Sequence, residues 1–345
     1  MNRYGKSSKA VRDIKSSFIE MEEELFAAQK GVTDLYRKQP TRTVCKNCGE
    51  GINKILFIKQ KVGYLLCPSC NHLNGAYQDS KEFCHVVYED VDAEQYANNY
   101  GSADKKVYWD RVEAIYRPKA EFLIESLKNL GENETHLSFA DVGAGSGYFI
   151  ASMMSCGVSK VVGYETSPYQ SEYANRMIGS DVVIRNSIDE IEEIILDARV
   201  NVISMIGVLE HLKEPRRILS TISKNPNIEY FYFSVPLFSL SVFFDLVFQE
   251  NFQAQLAGRH THLYTEKSID WFCQKYNFKR VANWWFGSDV MHLFRHLCIS
   301  LGKQNQPEAV IKYFEDSLSS SADSMQIALD KRHLSSEVHV LVQKI

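Results

Sequence analysis

Four cysteines in this sequence have the spacing of a metal site. Cys45 and Cys48 form one C-x-x-C pair, and Cys67 and Cys70 form a second pair after an 18-residue spacer. Four thiolates on two such turns can close a tetrahedral site, which suits zinc. Because four protein ligands leave no open position, we expect a structural Zn²⁺ here. A redox role for a C-x-x-C pair is the alternative.

Three histidines are candidates for proton transfer, because imidazole titrates close to neutral pH. His260 and His262 lie between a predicted strand and a predicted helix, and His211 follows an apolar run at 201–206. Open α/β sheets bind ligands at the carboxyl ends of their strands. We therefore predict His260, His262 and His211 as catalytic residues. A buried histidine that ties its loop to the sheet is an equal alternative for His211.

A glycine-rich turn separates a predicted strand from a predicted helix. The strand covers 137–142, the turn contains Gly143, Gly145 and Gly147, and the next strand ends at Glu165. Glycines permit a sharp turn and the close approach of a ligand. A carboxylate about 20 residues further on can accept hydrogen bonds from ribose hydroxyls. This pattern predicts a site for a nucleoside cofactor.

Apolar runs and helical periodicity predict the elements that position these residues. Alternating strands and helices predict an α/β fold with a seven-stranded Rossmann-like sheet, mostly parallel with an antiparallel last strand, and helices on both faces. The predicted strands cover 137–142, 160–164, 181–185, 201–206, 228–235, 278–286 and 336–344. The predicted division is an N-terminal helical segment at 1–38, a zinc-ribbon-like module at 39–87 and a catalytic domain at 88–345.

Composition disfavours a nucleic-acid partner. The chain has 39 basic and 43 acidic residues and a net charge of −4, so it lacks the excess of positive charge that holds phosphates. The polar start of the sequence resembles no signal peptide, and we expect a cytoplasmic protein. An apolar stretch at 237–252 predicts a helix that covers the substrate and contacts a membrane surface or a lipid-linked substrate; a transmembrane span is the weaker alternative.

The turn resembles motif I of class I S-adenosylmethionine (SAM) methyltransferases, with the letters D-V-G-A-G-S-G, and Glu165 matches their ribose-binding acid. The resemblance covers residues 88–345. A cysteine-rich module ahead of this domain, with a histidine segment at 260–265, is similar to sugar C-methyltransferases of deoxysugar pathways. That resemblance implies that His260 is the base. Arg259 stands where that family has glutamate, and O-methylation of a sugar or polysaccharide unit stays open.

The resemblance also implies a set of SAM-binding residues. Asn186 would face the adenine edge, and Tyr100 and Arg117 would reach the methionine carboxylate from a lid, unless this aromatic segment is only core packing. The complete predicted set is Asp141, Gly143, Ala144, Gly145, Gly147, Tyr148, Glu165, Thr166, Asn186, Ile206, Gly207, Tyr100 and Arg117.

The sequence is compatible with three functions. The favoured one is a SAM-dependent methyltransferase that acts on a small molecule or saccharide, such as a nucleotide sugar or a surface-polysaccharide unit. An RNA methyltransferase that grips RNA with its zinc module is the second, and a non-catalytic SAM-binding scaffold is the third. The amphipathic N-terminal helix covers an apolar face of the same chain or of a second copy in a homodimer.

Overall fold

The computed structural model describes residues 1–7, 21–88, 104–253, 255–256 and 260–345. Its strands are β1 (Asn2–Tyr4), β2 (Ile55–Lys59), β3 (Val62–Leu66), β4 (Leu73–Gly75), β5 (Phe139–Val142), β6 (Val161–Glu165), β7 (Val183–Arg185), β8 (Val202–Ile206), β9 (Tyr230–Pro236), β10 (His262–Leu263), β11 (Phe278–Phe286) and β12 (Glu337–Lys344).

Thirteen α-helices lie in the described ranges. They are α1 (Glu22–Arg37), α2 (Lys81–Tyr88), α3 (Lys105–Arg111), α4 (Arg117–Asn129), α5 (Tyr148–Ser155), α6 (Pro168–Ile178), α7 (Ile191–Asp197), α8 (Pro215–Lys224), α9 (Leu240–Val247), α10 (Glu266–Lys275), α11 (Asp289–Lys303), α12 (Glu308–Ser319) and α13 (Ala322–Asp330). A π-helical turn at Val112–Tyr116 joins α3 to α4.

The large sheet has the strand order β1-β11-β12-β9-β8-β5-β6-β7. Its central strands pair in parallel, and β12 is antiparallel to both of its neighbours, as predicted. The predicted count of seven strands is wrong, because Asn2–Tyr4 adds an eighth strand parallel to β11. Three residues without an apolar run give no local strand signal, and only pairing with a distant segment makes them a strand.

The core lies on both faces of this sheet, as the two-residue period of a strand requires. Phe231 and Phe233 on β9 pack against one layer of helices, with α8 and α10 among them. Tyr230 and Tyr232 on the same strand face the opposite layer, which contains α4 and α5. Every residue of β9 is buried, so this strand lies at the centre of the fold.

A second, four-stranded antiparallel sheet carries the cysteine pairs. Its order is β10-β4-β3-β2, and the predicted hairpin between the two pairs is present as β2 and β3. The edge strand β10 comes from the segment after β9, where His262 and Leu263 pair with Asn74 and Leu73. The cysteine module and the large domain therefore share one sheet.

Helix α1 joins both parts of the molecule. The Tyr36 hydroxyl donates to the Tyr77 carbonyl at 2.6 Å, and Arg295 on α11 forms an ion pair with Glu22 at 2.8 Å. The apolar stretch after β9 contributes the eight-residue helix α9. Among the described residues, no helix has the length and apolar content needed to cross a membrane.

Candidate active site

The glycine turn is held against the end of β6. Gly143, Gly145 and Gly147 have φ angles of +76°, +54° and +72°, which L side chains rarely adopt. The backbone amides of Gly143 and Ala144 both donate to the Tyr164 carbonyl, at 2.8 and 3.0 Å. These bonds fix the turn over the carboxyl ends of two parallel strands, which is the ligand-binding edge of an open α/β sheet.

Glu165 ends β6 and is buried next to this turn. One carboxylate oxygen accepts from the Gly145 amide at 2.7 Å, and the other accepts from the Ser167 amide at 2.8 Å. Burial raises the pKa of Glu165 above its ordinary value, while the two amides act in the opposite direction. The oxygen that accepts from Ser167 also accepts from the Thr166 hydroxyl at 3.5 Å, whereas the oxygen that accepts from Gly145 keeps a lone pair for a ribose hydroxyl.

Several other predicted cofactor residues surround the same edge. The Asn186 side-chain oxygen is buried and has no hydrogen-bond partner among the described residues, so an acceptor is available there. Gly207 has a φ of +68°, and a Cβ there would meet only the Glu210 carboxylate at 3.7 Å, which leaves a cradle for a ligand. Ile206 precedes this glycine at the end of β8, and Thr166 follows Glu165 directly.

Asp141 is the residue before the last in β5, next to the turn, and is almost completely buried. The Ser204 hydroxyl donates to its carboxylate at 2.6 Å. Burial raises the pKa of Asp141 to about 7, and the Ser204 hydroxyl partly opposes this effect. The arrangement indicates that Asp141 supports the turn from beneath through β5 and β8.

The aromatic segment packs on the first turn of α5. Tyr148 stacks between Tyr108, at a ring distance of 4.7 Å, and Tyr116, at 5.1 Å. The Tyr108 hydroxyl donates to the Ser146 carbonyl within the glycine turn. The Arg111 guanidinium lies 5.0 Å from the Tyr148 ring. These contacts pack the three rings together, and the predicted contact of Tyr148 with the cofactor stays a prediction.

The lid prediction receives no support from Arg117. Its guanidinium pairs with Glu113 and Glu121 on an exposed helix face. Cys156 caps the carboxyl end of α5, opposite the glycine turn, and the charge of Arg117 partly opposes the rise that burial causes in the pKa of Cys156. The helical spacing of its two glutamate partners holds Arg117 there. Tyr100 and Arg259 lie outside the described residues.

The structure brings two of the predicted histidines together with a glutamate. The rings of His211 and His260 are 5.0 Å apart, and each is half-buried. One ligand atom from each of Glu210, His211 and His260 lies within 4.8 Å of the others. A Cβ on Gly143 would meet the Val208 side chain at 2.5 Å, so the segment that carries Glu210 and His211 packs directly on the glycine turn.

Glu210 is buried, and one of its carboxylate oxygens has no hydrogen-bond partner among the described residues. Burial raises the pKa of Glu210 to about 8, with a further contribution from the charge of Glu337. An uncompensated buried carboxylate is costly, so such a group normally has a structural or chemical task.

His262 lies deeper, in the second sheet. Its Nδ1 is 2.7 Å from Nε2 of His72, while its Nε2 is buried without a partner among the described residues. Burial lowers the pKa of His262 well below its ordinary value, and the positive charge of Lys46 adds to this. A neutral imidazole of this kind is a weak base, and its contacts suit a supporting role.

The four cysteines form a compact cluster. The sulfur atoms lie within 4.8 Å of one another, with Cys45 and Cys70 3.7 Å apart and Cys48 and Cys67 3.4 Å apart. Tetrahedral zinc with bonds of about 2.3 Å separates its sulfurs by about 3.8 Å, so the cluster fits that ion. The hydrogen bond from Cys70 is the largest cause that lowers the pKa of Cys45 to about 5.

Sequence reasoning missed the polar contacts that join the module to the large domain. His72 contacts His262, and the Asn47 side chain donates to the Ser268 carbonyl. Within the module itself, Asp79 pairs with Arg42 and Lys46 in the interior, which sequence reasoning also missed. Only the adjacency of Glu210 and His211 could have marked the glutamate. The other residues carry no signal in the chain, because their partners are distant in sequence.

This fold and site define an α/β enzyme of the class that binds a nucleoside cofactor at the carboxyl edge of a parallel sheet. The model of the methyltransferase domain family matches residues 109–283, about half of the chain. The chain belongs to this family and is a SAM-dependent methyltransferase.

Several solved methyltransferases are similar in structure. Magnesium protoporphyrin IX methyltransferase from Synechocystis PCC 6803, solved with bound SAH, is 10% identical with a TM-score of 0.49, and the match covers 77% of this chain and 100% of that chain. Geranyl diphosphate C-methyltransferase from Streptomyces coelicolor A3(2) is 12% identical with a TM-score of 0.42, and the match covers 75% of this chain and 89% of that chain. A SAM-dependent methyltransferase from Archaeoglobus fulgidus is 16% identical with a TM-score of 0.39, and the match covers 69% of this chain and 100% of that chain. No curated protein matches the chain.

Proposed function

We propose that the enzyme transfers the methyl group of SAM to an oxygen or an acidic carbon of a small-molecule acceptor, with saccharides as the favoured class. The observation that carries this proposal is the close pair of His211 and His260 beside Glu210, on a segment that packs against the glycine turn. Groups that handle protons thus lie next to the residues that would hold the cofactor.

The cofactor supplies a methyl group that is already activated, so the chain's own residues need only position the reactants and accept a proton. Glu165 would hold the ribose, and Asn186 would accept from the adenine amino group. His260 is half-buried at the mouth of the site, where it can accept the acceptor's proton. The buried pair of His262 and His72 would fix the segment that carries His260.

Charges in the cysteine module support a small-molecule acceptor over RNA. Lys46 is buried in an ion pair with Asp79, and Lys59 is buried in an ion pair with Asp245. Neither ammonium group can therefore contact a phosphate backbone. Lys54 and Lys61 are exposed, but two cations provide little of the electrostatic attraction that RNA binding needs.

We also propose that the cysteine cluster binds a structural zinc ion. The second cysteine pair comes just before β4 in sequence. The ion would therefore fix β4, the strand that pairs with β10, and thereby the histidine segment. We expect the ion to have no open coordination position and so no part in the chemistry.

The test is methyl transfer from radiolabelled SAM into cell extract separated into nucleic-acid, protein and saccharide or small-molecule pools. We expect label in the last pool. His260→Ala should lower turnover by about 10²- to 10⁴-fold, the usual loss for a general base, and leave SAM affinity intact. His136→Ala, at an exposed position, is the control and should behave as wild type. Label confined to the nucleic-acid pool would overturn the acceptor class.

A further inference from the structure

We infer that Glu210, His211 and His260 form a binding site for a divalent metal ion, distinct from the cysteine cluster. One carboxylate oxygen and two imidazole nitrogens lie within 4.8 Å of one another. A metal ion with bonds of about 2.0 to 2.2 Å to each of three ligands holds them about 3 to 4 Å apart, so small rotations of the side chains complete the site.

The unpaired carboxylate oxygen of Glu210 is an independent indication of a ligand. Glu210 is 96% buried, since its relative exposure is 4%, and this oxygen has no hydrogen-bond partner among the described residues. Buried carboxylates are normally paired with a cation or a hydrogen-bond donor. A metal ion between Glu210 and the two imidazoles would provide that compensation.

The donor set indicates which ions suit the site. Two imidazoles and one carboxylate provide nitrogen and oxygen ligands, which first-row divalent ions such as Mn²⁺, Fe²⁺, Co²⁺ and Zn²⁺ accept. Thiolates, in contrast, select zinc, so the four-cysteine cluster and this second site differ in preference. Three protein ligands also leave open positions, which is the arrangement of a catalytic site and not of a structural one.

The open positions give the site a task that deepens the proposed function and rests on it. An acceptor with two neighbouring oxygens, such as a vicinal diol, can occupy two of them. The ion lowers the pKa of a bound hydroxyl, which then loses its proton to water. The resulting oxygen forms a bond to the methyl carbon as the carbon–sulfur bond of SAM breaks, and the electron pair stays on sulfur. With the ion bound, His260 coordinates it and water takes the proton; without the ion, His260 is the group that accepts this proton.

The experiment measures Mn²⁺ binding by electron paramagnetic resonance to protein that carries one equivalent of zinc, enough for the cysteine cluster alone, without acceptor or SAM. We expect one tight site in the wild type. Glu210→Gln and His260→Ala should each weaken it at least about tenfold, because each removes one of three ligands. Glu125→Gln and His136→Ala change exposed residues elsewhere and should leave it unchanged. His260 is only half-buried, so its variant should fold even if Glu210→Gln does not.

The outcomes separate this inference from the proposed function. No Mn²⁺ binding, or binding that both ligand variants keep at full strength, would overturn the metal site even if methyl transfer occurs. Mn²⁺ binding that depends on both residues would support the site even if no pool of cell extract is labelled, in which case the proposed function fails alone. Once an acceptor is known, transfer that is lost after EDTA treatment and restored by Mn²⁺ would further support the inference. Transfer that persists after EDTA has removed the Mn²⁺ signal would contradict the catalytic task.

Discussion

Glu165 has a structural role in the same carboxylate that we propose as the ribose acceptor. Its oxygens accept from the amides of Gly145 and Ser167, so the residue ties the glycine turn to the start of α6. A ribose that binds there would donate to a carboxylate that the two backbone amides already hold in position. The glycine turn and the end of β6, where we propose that the cofactor binds, are therefore fixed before any cofactor binds.

The first prediction concerns this carboxylate. Glu165→Gln replaces an acceptor oxygen with an amino group that cannot accept from a backbone amide. Hydrogen bonds to a charged group contribute about 1.5 to 3 kcal/mol, so SAM affinity should fall by about 10- to 100-fold in calorimetry. Glu193→Gln, an exposed change on α7, is the matched control. Equal affinity in the two variants would show that Glu165 does not contact the cofactor.

The second prediction separates two costs of a side chain in the glycine turn. Gly147 has a φ of +72°, and its Cβ would lie 2.7 Å from the Cβ of Ala174, whereas Gly131 has a φ of +89° and open space around it. Gly131→Ala should cost about 1 to 2 kcal/mol in free energy of unfolding, from the backbone alone. Gly147→Ala should cost about 1 to 3 kcal/mol more, because α6 must move away. Urea titration measures both; equal losses would contradict the close packing of α6 on the turn.

At the scale of elements, the second sheet decides how the histidine segment is held. Strand β10 has only two residues, and its partner β4 follows directly on the second cysteine pair. Thr265 reinforces this junction, because its hydroxyl donates to the Asn71 carbonyl at 3.0 Å. The positions of His260 and His262 thus depend on whether the cysteine module is correctly folded.

A substitution in the cluster should therefore affect both the metal content and catalysis. Cys48→Ser should lose the proposed zinc ion, loosen β4 and reduce methyl transfer, because the strand that holds β10 is no longer fixed. Zinc content by mass spectrometry, thermal unfolding and label transfer measure the three effects. Cys156→Ser is the control, since this cysteine is also half-buried and lies outside the cluster. Full zinc content in Cys48→Ser would show that the cluster is not the zinc site.

Elements with a local signal in the sequence could be predicted, and elements defined by distant partners could not. Apolar runs marked the seven predicted strands, and the three glycines marked the turn, because backbone conformation and burial leave a pattern along the chain. Strands β1 and β10 have three and two residues and exist only through partners far away in sequence. Arg117 is predicted to reach the cofactor from a lid, and that stays a prediction, because its observed partners are Glu113 and Glu121.

At the scale of the whole molecule, β12 lies between β11 and β9 in the large sheet, and it carries the buried His339. The Tyr232 hydroxyl lies 2.7 Å from Nδ1 of His339, and Nε2 of His339 lies 2.9 Å from the Glu337 carboxylate. Burial lowers the pKa of His339 to about 4, although Glu337 acts in the opposite direction. The imidazole is therefore neutral in the folded protein near pH 7.

From the lowered pKa of His339 we predict that the free energy of unfolding falls in mild acid. The unfolded chain binds the proton near the ordinary pKa of about 6.5, and the folded protein binds it only near pH 4. The stability that His339 contributes is complete above pH 6.5. It is lost as the pH falls to about 4, by about 3 kcal/mol in total.

The measurement is urea unfolding between pH 7 and pH 4 for the wild type, His339→Gln and the exposed control His136→Gln. The first variant should be less stable at pH 7 and have a flatter pH dependence. The control should follow the wild type. A curve for His339→Gln parallel to that of the wild type would contradict the prediction.

The shared second sheet has a consequence for the evolution and engineering of this enzyme. Segments 73–75 and 262–263 are hydrogen-bonded to each other although most of the catalytic domain lies between them in sequence. Neither the cysteine module nor the catalytic domain can be exchanged as an independent unit, since a transplanted module would arrive without the fourth strand of its sheet. New acceptor preferences in this enzyme should therefore arise by paired changes on both segments, and recombination between homologues should keep the two from the same parent.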